Sequence, residues 1–291
     1  MTKAVLYSTS KELLDSLYSF DTSAFNEFLG PIYESFVNGE EKKDRVDVVV
    51  WNEGNPILPE SRWKETEPFI QSLISELNRN NITPARSLFG ARTLLDYFSS
   101  NQARPINTVK LYSIISLSPP LLDVNNATDK TIFRANLSTL SSENKSDLVK
   151  LRVGFFAHGT DPISFSESES EQMLKRAFDI GVIWLCRMNG RIAGYLYAAR
   201  PTAKTVQLRQ LFVGEEWRNQ GVGSALVRWV SRVFLEGFEH GTGDLTVDEV
   251  ATKWGKKKEV CLIAMEEDQD AIRLYEKLGF NYLGDYCSTR F

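Results

Sequence analysis

The sequence predicts an α/β (α+β) chain in two parts, and three observations carry that reading. Strand-like and helix-like segments alternate along most of its 291 residues. Ser118-Pro119-Pro120 and the stretch Asp123 to Lys130, DVNNATDK, divide the chain near residue 125, because tandem prolines and Asn/Asp clusters interrupt regular structure. Asn189-Gly190 joins two apolar runs; it is the strongest short hairpin signal, since both central positions of a type I′ turn need φ > 0. The length suits two domains. With 42% hydrophobic and 25% charged residues, a disordered, collagen-like or coiled-coil chain is excluded.

The N-terminal part opens with a short apolar segment, Ala4 to Tyr7. Lys11 to Phe20 follows, with Leu13, Leu14, Leu17 and Tyr18 at helical spacing. Val46 to Trp51, VDVVVW, is β-branched and closes on the turn-prone Asn52 to Pro56, which marks a strand. Trp63 to Asn80 carries Phe69, Ile70, Leu73, Ile74 and Leu77 on one helical stripe. Arg92 to Ser99 reads as a helix and Val109 to Leu117 as a strand. No catalytic cluster is legible here.

The C-terminal part starts with a strand at Thr131 to Ala135. Helices follow at Asp147 to Phe156 and Glu169 to Phe178. Strands are expected at Gly181 to Met188, Arg191 to Ala199 and Thr205 to Val213, then a helix at Val222 to Leu235. After an insertion from Phe238 to Glu259 come a strand, Val260 to Met265, a helix, Gln269 to Leu278, and a strand, Phe280 to Tyr286.

Thirty-four Lys+Arg against 38 Asp+Glu give a net charge of −4, which disfavours nucleic-acid binding through a globally basic surface. Cys186, Cys261 and Cys287 are widely spaced and match neither a disulfide framework nor a zinc site. They read as reduced thiols, buried at Cys186 and Cys261. With no signal-like start and no apolar run of membrane length, the expectation is a cytoplasmic protein, the nucleus remaining open.

The readable chemistry lies between Val213 and Leu226. A strand ends, the chain turns through Arg218-Asn219-Gln220-Gly221-Val222-Gly223, and a helix begins with Leu226, Trp229, Val230 and Val233 on its apolar stripe. Glycines at such a turn let backbone N–H groups approach a ligand, and the helix start adds positive potential. Together they form an anion site suited to a pyrophosphate. Arg218 can add a charge-assisted bond. A helix start that merely packs tightly is the competing reading. The spacing is neither G-x-x-x-x-G-K-[ST] nor G-x-G-x-x-G, so a nucleotide hydrolase and a dinucleotide fold are disfavoured.

Val213 to Gly223, V-G-E-E-W-R-N-Q-G-V-G, resembles motif A of the GNAT superfamily of acyl-CoA-dependent N-acyltransferases, V-x-P-E-x-R-G-Q-G-I-G. Glu215 replaces the proline and Asn219 a glycine. Asp268 to Phe280, D-Q-D-A-I-R-L-Y-E-K-L-G-F, is similar to motif B, N-x-x-A-x-x-L-Y-E-K-L-G-F, with Asp268 in place of Asn. The resemblance implies a GNAT-type mixed, mostly antiparallel sheet flanked by helices over 126–291, preceded by a smaller α/β lobe over 1–125. Leu88 to Phe98 and the strand after it loosely resemble a degenerate cradle helix and strand, as in the tandem lobes of glycine N-acyltransferase-like proteins. An unrelated accessory domain is the alternative.

The resemblance further implies that acyl-CoA lies in a V-shaped opening between the strands Thr205–Val213 and Val260–Met265. Leu211, Phe212 and Val213 would pair with the pantetheine arm. Arg218, Asn219, Gln220, Gly221, Val222, Gly223 and Ser224 would hold the pyrophosphate, with Asp268 counted among the cofactor-binding residues. Tyr275 matches the family's tyrosine and would protonate or stabilise the departing thiolate; closing the last helix on the sheet is its alternative role. Where several members carry a glutamate, this chain has Gln207, and Arg209 and Gln210 are no better bases.

Glu266 and Glu267 are the nearest candidate bases, with a surface carboxylate pair as the alternative. His158 and a water chain are further options. The acidic run Asp161, Glu167, Glu169 and Glu171 reads as a solvated face or an attractor for a cationic amine. Lys253 and Lys256-Lys257-Lys258 read as a solvated run or a contact for the CoA 3′-phosphate. The expected function is acetyl-CoA-dependent N-acetylation of a primary amine on a small molecule. The alternatives are a non-catalytic acyl-CoA-binding module and a protein lysine or N-terminal acetyltransferase. No metal, nucleic acid or membrane partner is expected, and a homodimer is left open.

Overall fold

The computed structural model describes residues 10–16, 18, 21–23, 26, 30, 87–90, 107–117, 130–135, 138, 140–158, 164–180, 182–237 and 254–290. The segments expected at Ala4–Tyr7, Val46–Trp51, Trp63–Asn80 and Arg92–Ser99 lie outside these residues, as do Asp161 and Lys253. The strands are β1 (Ser87–Gly90), β2 (Asn107–Ile114), β3 (Lys130–Arg134), β4 (Val182–Met188), β5 (Arg191–Ala199), β6 (Thr205–Val213), β7 (Glu259–Met265) and β8 (Asn281–Arg290). The helices are α1 (Ser10–Ser16), α2 (Ser142–Ala157), α3 (Glu167–Ile180), α4 (Val222–Glu236) and α5 (Gln269–Lys277).

All eight strands form one mixed sheet in the order β1-β8-β2-β7-β6-β5-β4-β3. Every pairing is antiparallel except β6 with β7. Residue 125 thus falls between two strands, β2 and β3, of the same sheet. Leu88 to Gly90, read from sequence as the head of a degenerate cradle, belong to β1 and pair with β8.

The hairpin expected at Asn189-Gly190 forms, with φ of 49° and 80° at the two positions, as a type I′ turn requires. Its strands β4 and β5 are buried at nearly every position because helices cover both faces. On one face Trp184, Leu196 and Ala198 pack with Val222, Leu226 and Val230 of α4 and with Ile272 and Tyr275 of α5. On the other, Ile183, Leu185, Tyr195 and Tyr197 pack with Leu148 and Leu151 of α2 and Leu174 of α3.

Two helices begin earlier than their apolar stripes suggest, because caps lie upstream. Ser141 caps α2, accepting from Asn144 N at 3.2 Å. Before α3, Ser166 N donates to Glu169 Oε2 at 2.8 Å and Glu169 N donates to Ser166 Oγ at 3.2 Å. This reciprocal capping box occupies Glu169, and Glu171 lies 3.8 Å from Lys175. Two members of the acidic run thus have local partners.

A buried polar seam ties the start of the chain to the heads of β6 and β7. Asn26 donates to Arg200 O at 2.8 Å and to Thr205 Oγ1 at 2.7 Å. Ser23 N donates to Glu259 Oε2 at 2.9 Å. Asp21 accepts from Thr202 Oγ1 and, at 2.9 Å, from Lys204 N. Lys257, read as part of a solvated run, is instead 2% exposed and donates to Thr202 O at 2.6 Å and to Trp254 O. Burial pulls its pKa down to about 8, against the opposing pull of Asp21.

Candidate active site

β6 and β7 pair only over Thr205–Leu208 against Glu259–Leu262. Beyond that point β6 stays bonded to β5 through Val213, and β7 stays bonded to β2 through Met265. The two strands therefore diverge, and the facing edges of 209–213 and 263–265 have no strand partner among the described residues. In the β5–β6 ladder Tyr197 pairs with Gln210 and Ala198 with Leu208, so Arg209 is a bulge at the apex of this opening. Unpaired N–H and C=O groups on a half-buried edge call for a partner, and an extended chain bearing amides supplies one.

Gly194 seats β5 against the free end of β6: a Cβ there would lie 2.8 Å from the Phe212 carbonyl oxygen and 3.1 Å from Val222 Cγ1. The chain then turns through a short 3₁₀ helix, Glu215–Trp217, into α4. Asn219 has φ of 61° and Gly221 φ of 77°. Asn tolerates this left-handed region better than most side chains, which accounts for its standing where the GNAT motif has glycine.

α4 has no side-chain cap, so its first-turn N–H groups face the opening with the positive end of the helix dipole. Lys130 Nζ stands beside them, 3.6 Å from where a Gly221 Cβ would sit. Arg218 is folded back, its Nε donating to Val213 O at 3.3 Å and its guanidinium 5.6 Å from the Phe212 ring centre. Gln220 Nε2 donates to Glu216 O at 2.9 Å.

Gly223 is where β6, α4 and α5 converge: its Cβ position is 3.5 Å from Leu274, 3.7 Å from Leu211 and 3.7 Å from Val213. Tyr275 is thereby brought to the same region, buried on α5, its ring 6.0 Å from Phe280 and 6.5 Å from Tyr112. Its hydroxyl makes no hydrogen bond among the described residues. Burial, with the Asp268 carboxylate, pushes its pKa well above that of a free phenol. Asp268 caps α5, accepting from Ala271 N at 3.1 Å.

The candidate bases scatter. Glu266 is exposed and sits 3.5 Å from Lys110 of β2, on the side of β7 away from β6. Glu267 is exposed beside it. Gln207 is fully buried, with Arg200 Nη1 donating to it at 3.4 Å. His158 lies across the sheet from α4, its ring 6.0 Å from that of Phe212. Cys186 and Cys261 are free and buried. Burial pushes their thiols up to about 11 and about 12, so neither is a thiolate at neutral pH.

The family model of the acetyltransferase (GNAT) domain matches residues 179–282. Residues 179–282 form a GNAT acetyltransferase domain. The matched span runs from the hairpin strands through the opening and the glycine turn to Tyr275. No curated protein matches the chain at a significant level. Among solved structures, a GNAT-family protein from Novosphingobium aromaticivorans DSM 12444 aligns at 18% identity over 64% of this chain, with TM-score 0.40. The alignment spans 64% of that protein, just under two thirds. A GCN5-related N-acetyltransferase from Sphaerobacter thermophilus aligns at 18% identity over 80% of this chain and 70% of its own, with TM-score 0.45. A conserved protein of unknown function from Staphylococcus epidermidis ATCC 12228 aligns at 18% identity over 79% and 80%, with TM-score 0.45.

Two residues of the GNAT domain's surroundings escaped sequence reasoning. Lys130 heads the first strand after the break and belongs to no motif. Arg152 sits on α2, 4% exposed, with Nη1 donating to Gln210 Oε1 at 2.8 Å. Its helical spacing reads only as an interruption of an apolar stripe, and the fold alone brings it to the opening.

Proposed function

We propose that the GNAT domain transfers an acetyl group from acetyl-CoA to the primary amine of a small molecule. What supports this is one coincidence: the free edge of β6, the uncapped start of α4 with Lys130 beside it, and the helix carrying Tyr275 meet around Gly223. The edge suits the amide-bearing pantetheine arm, and the helix start suits the pyrophosphate. A neutral amine attacks the thioester carbonyl carbon. The C–N bond forms, the tetrahedral oxyanion collapses, and the C–S bond breaks. Tyr275 is protonated at neutral pH and donates its proton to the sulfur, while the amine's proton leaves to solvent or to His158. Holding the two reactants in register supplies much of the acceleration.

The test is free-thiol release from acetyl-CoA against a panel of amines. Tyr275→Phe is expected to lower kcat by about 10²- to 10⁴-fold, the range for one general acid, with CoA affinity unchanged by calorimetry. A Tyr275→Phe protein with wild-type turnover would remove that assignment. The buried Gln207, in place of a carboxylate, favours a second reading, a non-catalytic acyl-CoA-binding module. CoA binding without thiol release from any amine would establish it.

A further inference from the structure

Arg152 is a buried cation whose charge no group among the described residues balances. It is 4% exposed, and its Nε has no hydrogen-bond partner among the described residues. Nη1 donates to a neutral acceptor, Gln210 Oε1 at 2.8 Å, and the guanidinium stacks 5.1 Å from the Phe156 ring centre. The Tyr195 hydroxyl lies beside it without a well-formed hydrogen bond. No carboxylate approaches it among the described residues, and Arg209, the charged neighbour that bears on it, has the same sign. Burying an unpaired guanidinium is costly, because the charge loses its hydration without a compensating partner. Arg200, half-buried, differs in that its Nη1 donates to Gln207 Oε1 at 3.4 Å.

Its place says what would balance it. Gln210 follows the bulge at the apex of the opening, in the stretch of β6 without a β7 partner. Arg152 reaches it from the α2 face of the sheet, opposite the α4 cradle, so CoA phosphates held at α4 cannot reach this guanidinium. The unpartnered Nε side of a guanidinium presents a planar fork that fits a carboxylate. We propose that Arg152 binds a carboxylate on the acceptor, making the substrate class amino acids or similar amines bearing a carboxylate close to the nitrogen. This rests on the transfer reading above and names its acceptor.

The test compares amino acids with their own carboxamides as acceptors for acetyl-CoA, so that only the carboxylate changes. We expect KM for the acids about 10- to 100-fold below that for the amides, the worth of hydrogen bonds to a charged group, with similar kcat. Arg152→Met and Gln210→Glu should raise KM for the acids far more than for the amides. Gln210→Glu keeps the guanidinium and gives it a resident carboxylate, so a loss there does not stem from an emptied core.

A second readout is the thermal shift given by amino acids with CoA present, expected in the wild type and absent in Gln210→Glu. Equal KM for acids and amides overturns the proposal. So does a fall in kcat for every amine with KM unchanged, which would mark an oxyanion contact instead. If no amine releases thiol but the shift persists only with Arg152 intact, the carboxylate site stands and the transfer reading falls. Neither shift nor transfer overturns both.

Discussion

At Gly194 one missing methyl group decides how closely two strands approach. A Cβ there would meet the Phe212 carbonyl oxygen at 2.8 Å, and a backbone oxygen cannot yield as a flexible side chain does. Gly194→Ala is therefore expected to cost about 1–3 kcal/mol, the usual range for overpacking, seen as a lower urea midpoint. KM for acetyl-CoA should rise with it, because the displaced carbonyl belongs to the edge proposed for pantetheine. Lys130 acts by charge instead. Lys130→Met should weaken CoA binding about 2- to 5-fold, as for a partly exposed ion pair, and flatten the salt dependence of Kd. The motif residues were legible in the sequence because local backbone geometry requires them. Lys130 and Arg152 were not, because what places them is sheet and helix packing across the fold.

Helix α5 couples a cap to a catalytic candidate. Asp268 both caps the helix and raises the Tyr275 pKa through its charge. Asp268→Asn, the residue usual in the motif, keeps an acceptor for Ala271 N and removes the charge. The Tyr275 pKa should then fall, and the alkaline limb of kcat/KM should move to lower pH while the melting temperature stays within a degree or two. Asp268→Ala loses the cap as well, at about 0.5–2 kcal/mol.

At this scale the sequence read β5 and β6 to their final residues, since both are largely apolar runs bounded by turn residues. It placed the starts of α2 and α3 late, because apolar periodicity sees the buried stripe and not the caps ahead of it. Glu266 stands next to β7 in sequence, yet its partner is Lys110 of β2, whose position only the sheet order reveals.

Across the whole molecule, strand β2 of the N-terminal part is integral to the sheet of the GNAT domain. β2 lies between β7 and β8, and Leu111, Tyr112 and Ile114 are buried there. A chain beginning at residue 126 should therefore lose cooperative unfolding in urea, and adding back residues 1–125 should restore it. The seam at the heads of β6 and β7 gives a pH signature. Lys257 titrates near 8 when folded, against 10.5 unfolded. The unfolded chain thus binds more protons between those values, and stability attributable to this group rises with pH across that window. In Lys257→Met that rise should be missing when urea midpoints at pH 8 and pH 10 are compared. No local pattern announces such long-range pairing, which is why the first 125 residues showed elements but no role.

The position of β2 also sets an order of events on the ribosome. The strand is made long before either neighbour, since β7 and β8 come from the last stretch of the described chain. Until then both its edges offer open hydrogen-bonding groups to any passing strand. Closure of the sheet must wait for β7 and β8, and pairing so distant in sequence is slow. The nascent protein is thus most exposed to aggregation in the interval before its final strands emerge.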